Sequence, residues 1–207
     1  MIRESNRGNP RKSRPKLILA SKSPRRAEIL RNAGFEFEVR AADVDEKRLP
    51  HESARAHVLR LAQAKARSAA SRLKVGSPNA IVIGADTVVV ARGRILGQPR
   101  DANDARRMLR LLSGRVHRVL TGVSVLRIPG GKELHCIERT RVHFVKLSRQ
   151  DIDDYIATGE PFDKAGAYGI QGIGGQFIDR IEGCYFNVVG LPLSQVSSML
   201  RELACQK

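Results

Sequence analysis

The chain has 207 residues, 42% hydrophobic and 28% charged, enough to bury a core as one domain, or as one domain with two lobes around a cleft, without disulfide or metal staples. Its formal net charge of +16 points to a polyanionic ligand, but only 4% of residues are aromatic and Trp is absent, so stacking platforms for single-stranded nucleic acid are scarce. Residues 1–16 hold six Lys/Arg against one Glu and the remaining charge is spread out; general nucleic-acid binding is therefore not expected, and a small polyphosphate is the better match.

Residues 1–14 are polar and lack the apolar core of a secretory signal. They read as a disordered basic tail ahead of a single domain at 15–207. No stretch approaches the ~20 apolar residues of a membrane span. Lys16–Ala20 reads as a buried strand. Ser23 and Pro24 open a helix carrying Ala27, Leu30 and Ala33, stopped by Gly34. Phe35, Phe37 and Val39 alternate with charged residues as in a half-buried strand, and Asp43-Val44-Asp45-Glu46 forms an acidic loop. A long helix is predicted over 51–73, with Val58, Leu61, Ala62, Ala66 and Ala69 on one face. After a turn at Gly76-Ser77-Pro78-Asn79, the strand Ala80–Ile83 runs into Gly84-Ala85-Asp86-Thr87. Val88–Val90 stays extended and Arg92-Gly93-Arg94 turns a hairpin. Asp101 caps a helix with Ala105, Met108, Leu109 and Leu112, closed by Gly114. Extended segments Val116–Ile128 and Leu134–Leu147 meet at Pro129-Gly130-Gly131. Ser148 to Asp151 is a capping-box pattern opening a helix to about Ala157. A glycine-dense stretch from Gly166 to Gly175 precedes a hairpin expected from Phe177–Ile181 and Cys184–Val189. A last helix follows Pro192. Mixed strands and helices without a repeat or linker indicate an α/β or α+β domain. Cys136, Cys184 and Cys205 lie far apart without CxxC spacing, and the histidines are single. Packing or surface roles are expected for all of them, in a reduced, cytoplasmic compartment.

Three segments carry chemistry. In Leu19-Ala20-Ser21-Lys22-Ser23-Pro24-Arg25-Arg26 a strand ends and a helix begins with two arginines in its first turn. Arginine there opposes the helix dipole unless an anion sits between, and unpaired helix N–H groups bind phosphate. In Gly84-Ala85-Asp86-Thr87 an acid stands at the end of an apolar strand, a common place for a catalytic or metal-binding carboxylate; the alternative is an Asx-turn. From Gly159 to Gly172, glycines that admit close backbone approach interleave with Asp163, Lys164 and Gln171. The Gln171 amide can donate and accept together.

Together with Pro99 and the residues after it, Leu112-Ser113-Gly114, and Val188-Val189-Gly190-Leu191-Pro192-Leu193, these segments resemble the Maf family of nucleotide pyrophosphatases over about nine-tenths of the chain. The resemblance implies a central mixed twisted sheet flanked by helices, two lobes around a cleft, as in ITPase-like folds. It implies hydrolysis of a nucleoside triphosphate to the monophosphate and pyrophosphate, with a divalent cation (Mg2+ or Mn2+), a house-cleaning role and a homodimer. The Gly166-Ala167-Tyr168-Gly169-Ile170-Gln171-Gly172 string is similar to the branch acting on dTTP, UTP and related pyrimidine nucleotides. By the resemblance, Asp86 is the catalytic carboxylate; Arg25, Thr87 and Gln171 set substrate specificity; Ser21, Arg26 and Lys65 hold phosphate; and Glu38 joins Asp86 near the metal. One departure is Gln98, where the family usually has Lys. The competing readings are a 7-methyl-GTP pyrophosphatase and a non-catalytic regulator of cell division that binds a protein or nucleic-acid partner.

Overall fold

The computed structural model describes residues 15–73 and 79–204. The basic tail, most of the turn expected at 76–79, and Cys205 lie outside the described residues. Seven strands form one mixed sheet in the order β2-β1-β3-β5-β6-β7, with β4 beside β3. β1 (Lys16–Leu19), β2 (Glu38–Val39) and β3 (Ala80–Ala91) are parallel. β4 (Arg94–Leu96), β5 (Val116–Ile128), β6 (Glu133–Phe144) and β7 (Ile178–Glu182) join antiparallel to their neighbours. The parallel pairs are bridged by α1 (Pro24–Asn32) and α2 (Ala54–Ser71), as parallel strands require crossover connections.

Side chains alternate along a strand, and the long β3 uses both faces. Val88 packs with Val58 of α2 on one face. This contact is very close, because β3 and β5 present glycines there. A Cβ at Gly84 would lie 2.1 Å from the Ala62 carbonyl oxygen, and one at Gly122 would lie 2.4 Å from that of Val58. Helix backbone therefore rests directly on strand backbone. The opposite face carries two separate clusters. Ile81, Ile83, Ala85 and Val123 pack with α1 and with α6 (Leu193–Ala204). Val89, Val119, Val142 and Phe144 pack with α3 (Ala102–Leu112) and α4 (Arg149–Ala157).

The β1 edge of β3 has a gap. β1 last pairs at Leu19 with Ile83, and β4 first pairs at Val89 with Leu96. Among the described residues, Gly84 to Val88 have no strand partner on that side, so residues from both faces of β3 border one opening.

Several expectations need correction. The strand expected over Phe35–Val39 shrinks to Glu38–Val39, because the short β1 offers partners only at Ile18 and Leu19. Asp86 is not at a strand end: β3 continues for five residues beyond it, paired with β5 as far as Val90. Ser23 occupies the N-cap position of α1, but its side chain caps nothing; its own N–H donates instead to Ser21 Oγ (3.2 Å). The second arm of the hairpin expected at Cys184–Val189 is a short helix, α5 (Tyr185–Val189). The cause is Asn187, whose buried amide donates to the Val119 carbonyl (3.1 Å) and to Thr140 Oγ1 (3.0 Å), pulling the segment onto the sheet. The capping box at Ser148 and Asp151 is present as predicted.

Two stability predictions follow from this packing. Gly122→Ala should lower stability by about 1–3 kcal/mol through overpacking, seen as a lower urea midpoint at unchanged m; an unchanged midpoint would mean that α2 is not held at this distance. His117 is buried, with Nε2 2.7 Å from the Tyr168 hydroxyl, and burial, aided by His143, pushes its pKa down to about 3. Its folded value lies below the unfolded one, so its contribution is full above pH ~6.5 and is lost as pH falls towards 3, by up to ~1.4 kcal/mol per pH unit. Urea denaturation between pH 7 and pH 4 should show a steeper loss for the wild type than for His117→Gln; equal slopes would remove His117 as the cause.

Candidate active site

A cavity of about 640 Å³ opens at the gap in the sheet. It is lined by the β1–α1 turn, the acidic loop, the α2 face bearing His57, Leu61 and Lys65, the exposed stretch of β3, and the glycine-rich segment. At its floor, Lys65 Nζ donates to Asp86 Oδ1 (2.7 Å) and pairs with Glu46 Oε1 (2.7 Å). Lys65 and Asp86 are both buried, so the pair sits where charge interactions are less screened than at the surface. Lys65 reaches Asp86 because the glycine contacts lay α2 on the sheet one turn away.

On the other face of β3, Arg26 is buried in a cage of neutral acceptors. Its Nε donates to the Gly190 carbonyl (2.7 Å), Nη1 to the Ala85 carbonyl (3.0 Å) and Ser21 Oγ (3.1 Å), and Nη2 to Thr87 Oγ1 (2.9 Å). Thr87 Oγ1 lies 2.9 Å from Thr121 Oγ1, which donates on to the Asn187 carbonyl (3.1 Å). Burial pushes the Arg26 pKa below its ordinary value, with Asp86 opposing the shift. Four of the five guanidinium N–H groups are used, so Arg26 has at most one for a phosphate and serves chiefly to shape the turn. Ser21 accepts from Arg26 and from Ser23 N–H, leaving its hydroxyl proton to donate.

Arg25 crosses the mouth of the cavity. Its Nη1 donates to Asp163 Oδ2 (2.6 Å) and Nη2 to the Asp163 carbonyl (3.0 Å). Lys164 Nζ holds Asp163 Oδ1 (2.6 Å), and Gln98 Nε2 donates to the Asp163 carbonyl (3.2 Å). Burial raises the Asp163 pKa, but Lys164 and Arg25 outweigh it and hold the carboxyl below its usual range. Behind this clasp, Glu160 ties the glycine-rich segment: Oε2 accepts from Ile173 N–H (2.8 Å) and Oε1 from Gly174 N–H (3.1 Å) and the Tyr155 hydroxyl (2.9 Å). A Cβ at Gly172 would fall 2.4 Å from Glu160 Oε2. Gln171 stands exposed on this segment, lining the cavity.

The structure thus brings Ser21, Arg25, Arg26, Lys65, Asp86, Thr87 and Gln171 to one cavity. It does not bring Glu38 there. That residue sits on the edge strand β2, ion-paired with Lys16 and with Arg40 (3.3 Å); its side chain faces those cations because β2 pairs with β1 outside the cavity. The acid that joins Asp86 is Glu46, which the sequence marks only as part of an acidic loop. His57 and Glu160 were also missed, and Asp163 was marked only as one of the polar residues of the glycine-rich segment. For His57 the signal was present: it lies at i, i+4 and i+8 with Leu61 and Lys65 on the predicted helix. Cys136 and Cys184 are free thiols away from the cavity lining, and burial pushes the Cys136 pKa up to about 11. Among the described residues no cluster of three or more His, Cys, Asp or Glu is placed to hold a metal ion, and no helix is long and apolar enough to cross a membrane.

The family model described as Maf-like protein matches residues 16–203. The chain belongs to the Maf family. Among the relatives of this Maf chain is a dTTP/UTP pyrophosphatase of Anaeromyxobacter dehalogenans (strain 2CP-C), 51% identical over 189 residues, covering 90% of this chain and 93% of that protein. Another dTTP/UTP pyrophosphatase, from Hahella chejuensis (strain KCTC 2396), is 48% identical over 195 residues, covering 94% of each. A solved nucleoside-triphosphatase / dITP/XTP pyrophosphatase of Mycobacterium abscessus aligns over 91% of this chain and 97% of that one at 15% identity and a TM-score of 0.39, too loose a likeness to carry an argument.

Arg26→Lys in this Maf protein should cost on the order of 2–3 kcal/mol, since buried acceptors at Gly190, Ala85 and Thr87 lose donors. Thermal or urea unfolding reads it; a change within ±0.5 kcal/mol would show that the cage is not structural.

Proposed function

We propose that this protein hydrolyses dTTP and UTP to the nucleoside monophosphate and pyrophosphate. The observation that carries the reading is the Asp86–Lys65–Glu46 cluster on the floor of a cavity whose mouth holds Arg25 and Lys164. A triphosphate brings about four negative charges, and its hydrolysis is governed by neutralising them and aligning the attacking water. Arg25, Lys65, Lys164 and the Ser21 hydroxyl supply donors. Asp86 accepts the proton of the water that attacks the α-phosphorus, and pyrophosphate leaves. The names of the relatives support the choice of dTTP and UTP, as does Gln171, whose amide can accept the uracil or thymine N3–H and donate to a ring carbonyl. One ring methyl separates the two bases and gives only about 10–200-fold discrimination, so action on both is physically natural.

A divalent cation, Mg2+ or Mn2+, fits these donors. Asp86 and Glu46 converge on one point, the Lys65 ammonium, and Mg2+ is typically held by one or two carboxylates together with substrate phosphates. Asp86 and Glu46, rather than Asp86 and Glu38, would hold it, and when bound it would neutralise phosphate charge. The cytoplasm as compartment rests on the cysteine usage, and a homodimer as assembly on the family resemblance.

Pyrophosphate release should be measured from dTTP, UTP, CTP, dATP, GTP and 7-methyl-GTP, with Mg2+, with Mn2+ and with EDTA. Metal-dependent release from dTTP and UTP is expected, lost by a factor on the order of 10² or more in Asp86→Asn. Release from 7-methyl-GTP alone would overturn the substrate assignment, and near-normal turnover by Asp86→Asn would remove Asp86 from the chemistry.

A further inference from the structure

His57 is buried at the cavity wall, and its two ring nitrogens have different surroundings. Nδ1 lies 2.9 Å from Glu52 Oε2. Glu52 is itself buried and takes two bonds from Arg60, Nε to Oε1 (2.6 Å) and Nη2 to Oε2 (2.9 Å), with a further bond from Leu49 N–H (3.1 Å). The Arg60 bonds, chiefly, hold the Glu52 carboxyl far below its usual range against the opposing effect of burial. An ionised carboxylate can only accept, so the proton must be on Nδ1, and in the neutral ring Nε2 is a bare acceptor. Nε2 has no hydrogen-bond partner among the described residues, nor is it among the buried atoms left unsatisfied.

We propose that His57 is a polyphosphate-binding residue whose Nε2 takes up a proton when the polyanion enters and then donates to a phosphate oxygen. A phosphate oxygen and a bare Nε2 are both acceptors, so the contact forms only once the ring is an imidazolium or the proton is shared between them. Before the ligand arrives the ring faces the Glu52 carboxylate, which Arg60 covers, and Arg60 Nη2 itself, 3.3 Å from Nδ1. The acids facing the cavity, Glu46 and Asp43 on the loop and Asp86 on β3, are partly spent, since Lys65 covers Glu46 and Asp86. Across the mouth, Asp163 is held by Lys164 and Arg25, and Tyr168 is bonded to His117. The entering phosphates are the new negative charge that tips the ring. Gln98 on the facing wall carries no charge, so His57 adds the titrating cation on its side of the cavity.

This rests on the cavity being a polyphosphate site, and the test separates the two claims. The imidazole C–H resonances of the full-length protein are followed by NMR from pH 5 to 9, without and with saturating inorganic tripolyphosphate and no metal, and His57 is assigned by its absence in His57→Gln. The apparent pKa of His57 should rise by about one pH unit or more with tripolyphosphate. A pKa that stays put while other resonances report binding overturns the proposal. Failure of tripolyphosphate to bind at all overturns both it and the cavity reading, whereas a shift in a protein that does not hydrolyse dTTP or UTP upholds it and removes only the activity. In kinetics, KM for dTTP should rise with pH in the wild type more steeply than in His57→Gln, whose amide donates without titrating. His57→Phe should raise KM on the order of tenfold or more at pH 6 with kcat little changed. Parallel KM–pH curves for wild type and His57→Gln would overturn the proposal.

Discussion

At Gly84 and Gly122 helix α2 lies on the sheet with no side chain between, and the site depends on that distance. Elsewhere side chains such as Val58, Ala66 and Val88 fill the interface, but any Cβ at these two glycines would run into helix backbone. One consequence is that Lys65, on the underside of a helix, is brought to Asp86 in mid-strand without either chain bending to meet the other. Another is that Glu46, on the acidic loop leading into α2, meets the same ammonium. The position of three charged groups is thus set by two residues that have no side chain.

A second constraint acts with the first. A strand in a closed ladder shows its two faces to different layers and cannot contribute both to one pocket. The break in pairing between Leu19–Ile83 and Val89–Leu96 removes that restriction for Asp86 and Thr87. Asp86 reaches the α2 layer, Thr87 the Arg26 cage, and both border the same cavity. The division of labour between the adjacent arginines follows from the same geometry. Arg26 points under the strand into neutral carbonyls and hydroxyls, while Arg25, one position earlier, swings across the mouth to Asp163.

Much of this was legible in the sequence, for identifiable reasons. Periodicity located α2 and its buried face, the Ser148–Asp151 pair located α4, and Arg92-Gly93 located the hairpin between β3 and β4. The residues grouped by the Maf resemblance converge, except Glu38. The failures have physical causes. Tyr185 to Val189 have the aromatic and β-branched composition of a strand, and the tertiary bonds of Asn187 hold them as a helix. Glu38 and Glu46 are both acids between α1 and α2, and what separates them is which side of β1 the chain passes, a fact of topology that local pattern does not contain. His57 reads as a lone histidine until the 51–73 helix is taken seriously as a surface carrying Lys65 two turns on.

Glu38 has a different meaning once it is placed on β2. A sheet is vulnerable at its borders, where unpaired backbone can recruit another chain and seed aggregation. The border strand here is two residues long and carries a carboxylate that Lys16, foremost, and Arg40 hold ionised below the usual range. The opposite border, β7, carries Asp179, Arg180 and Glu182 among its five residues. A strand from a second molecule laid against either border would have to strip water from these charges, so the acid that plays no part at the cavity helps keep the sheet from growing.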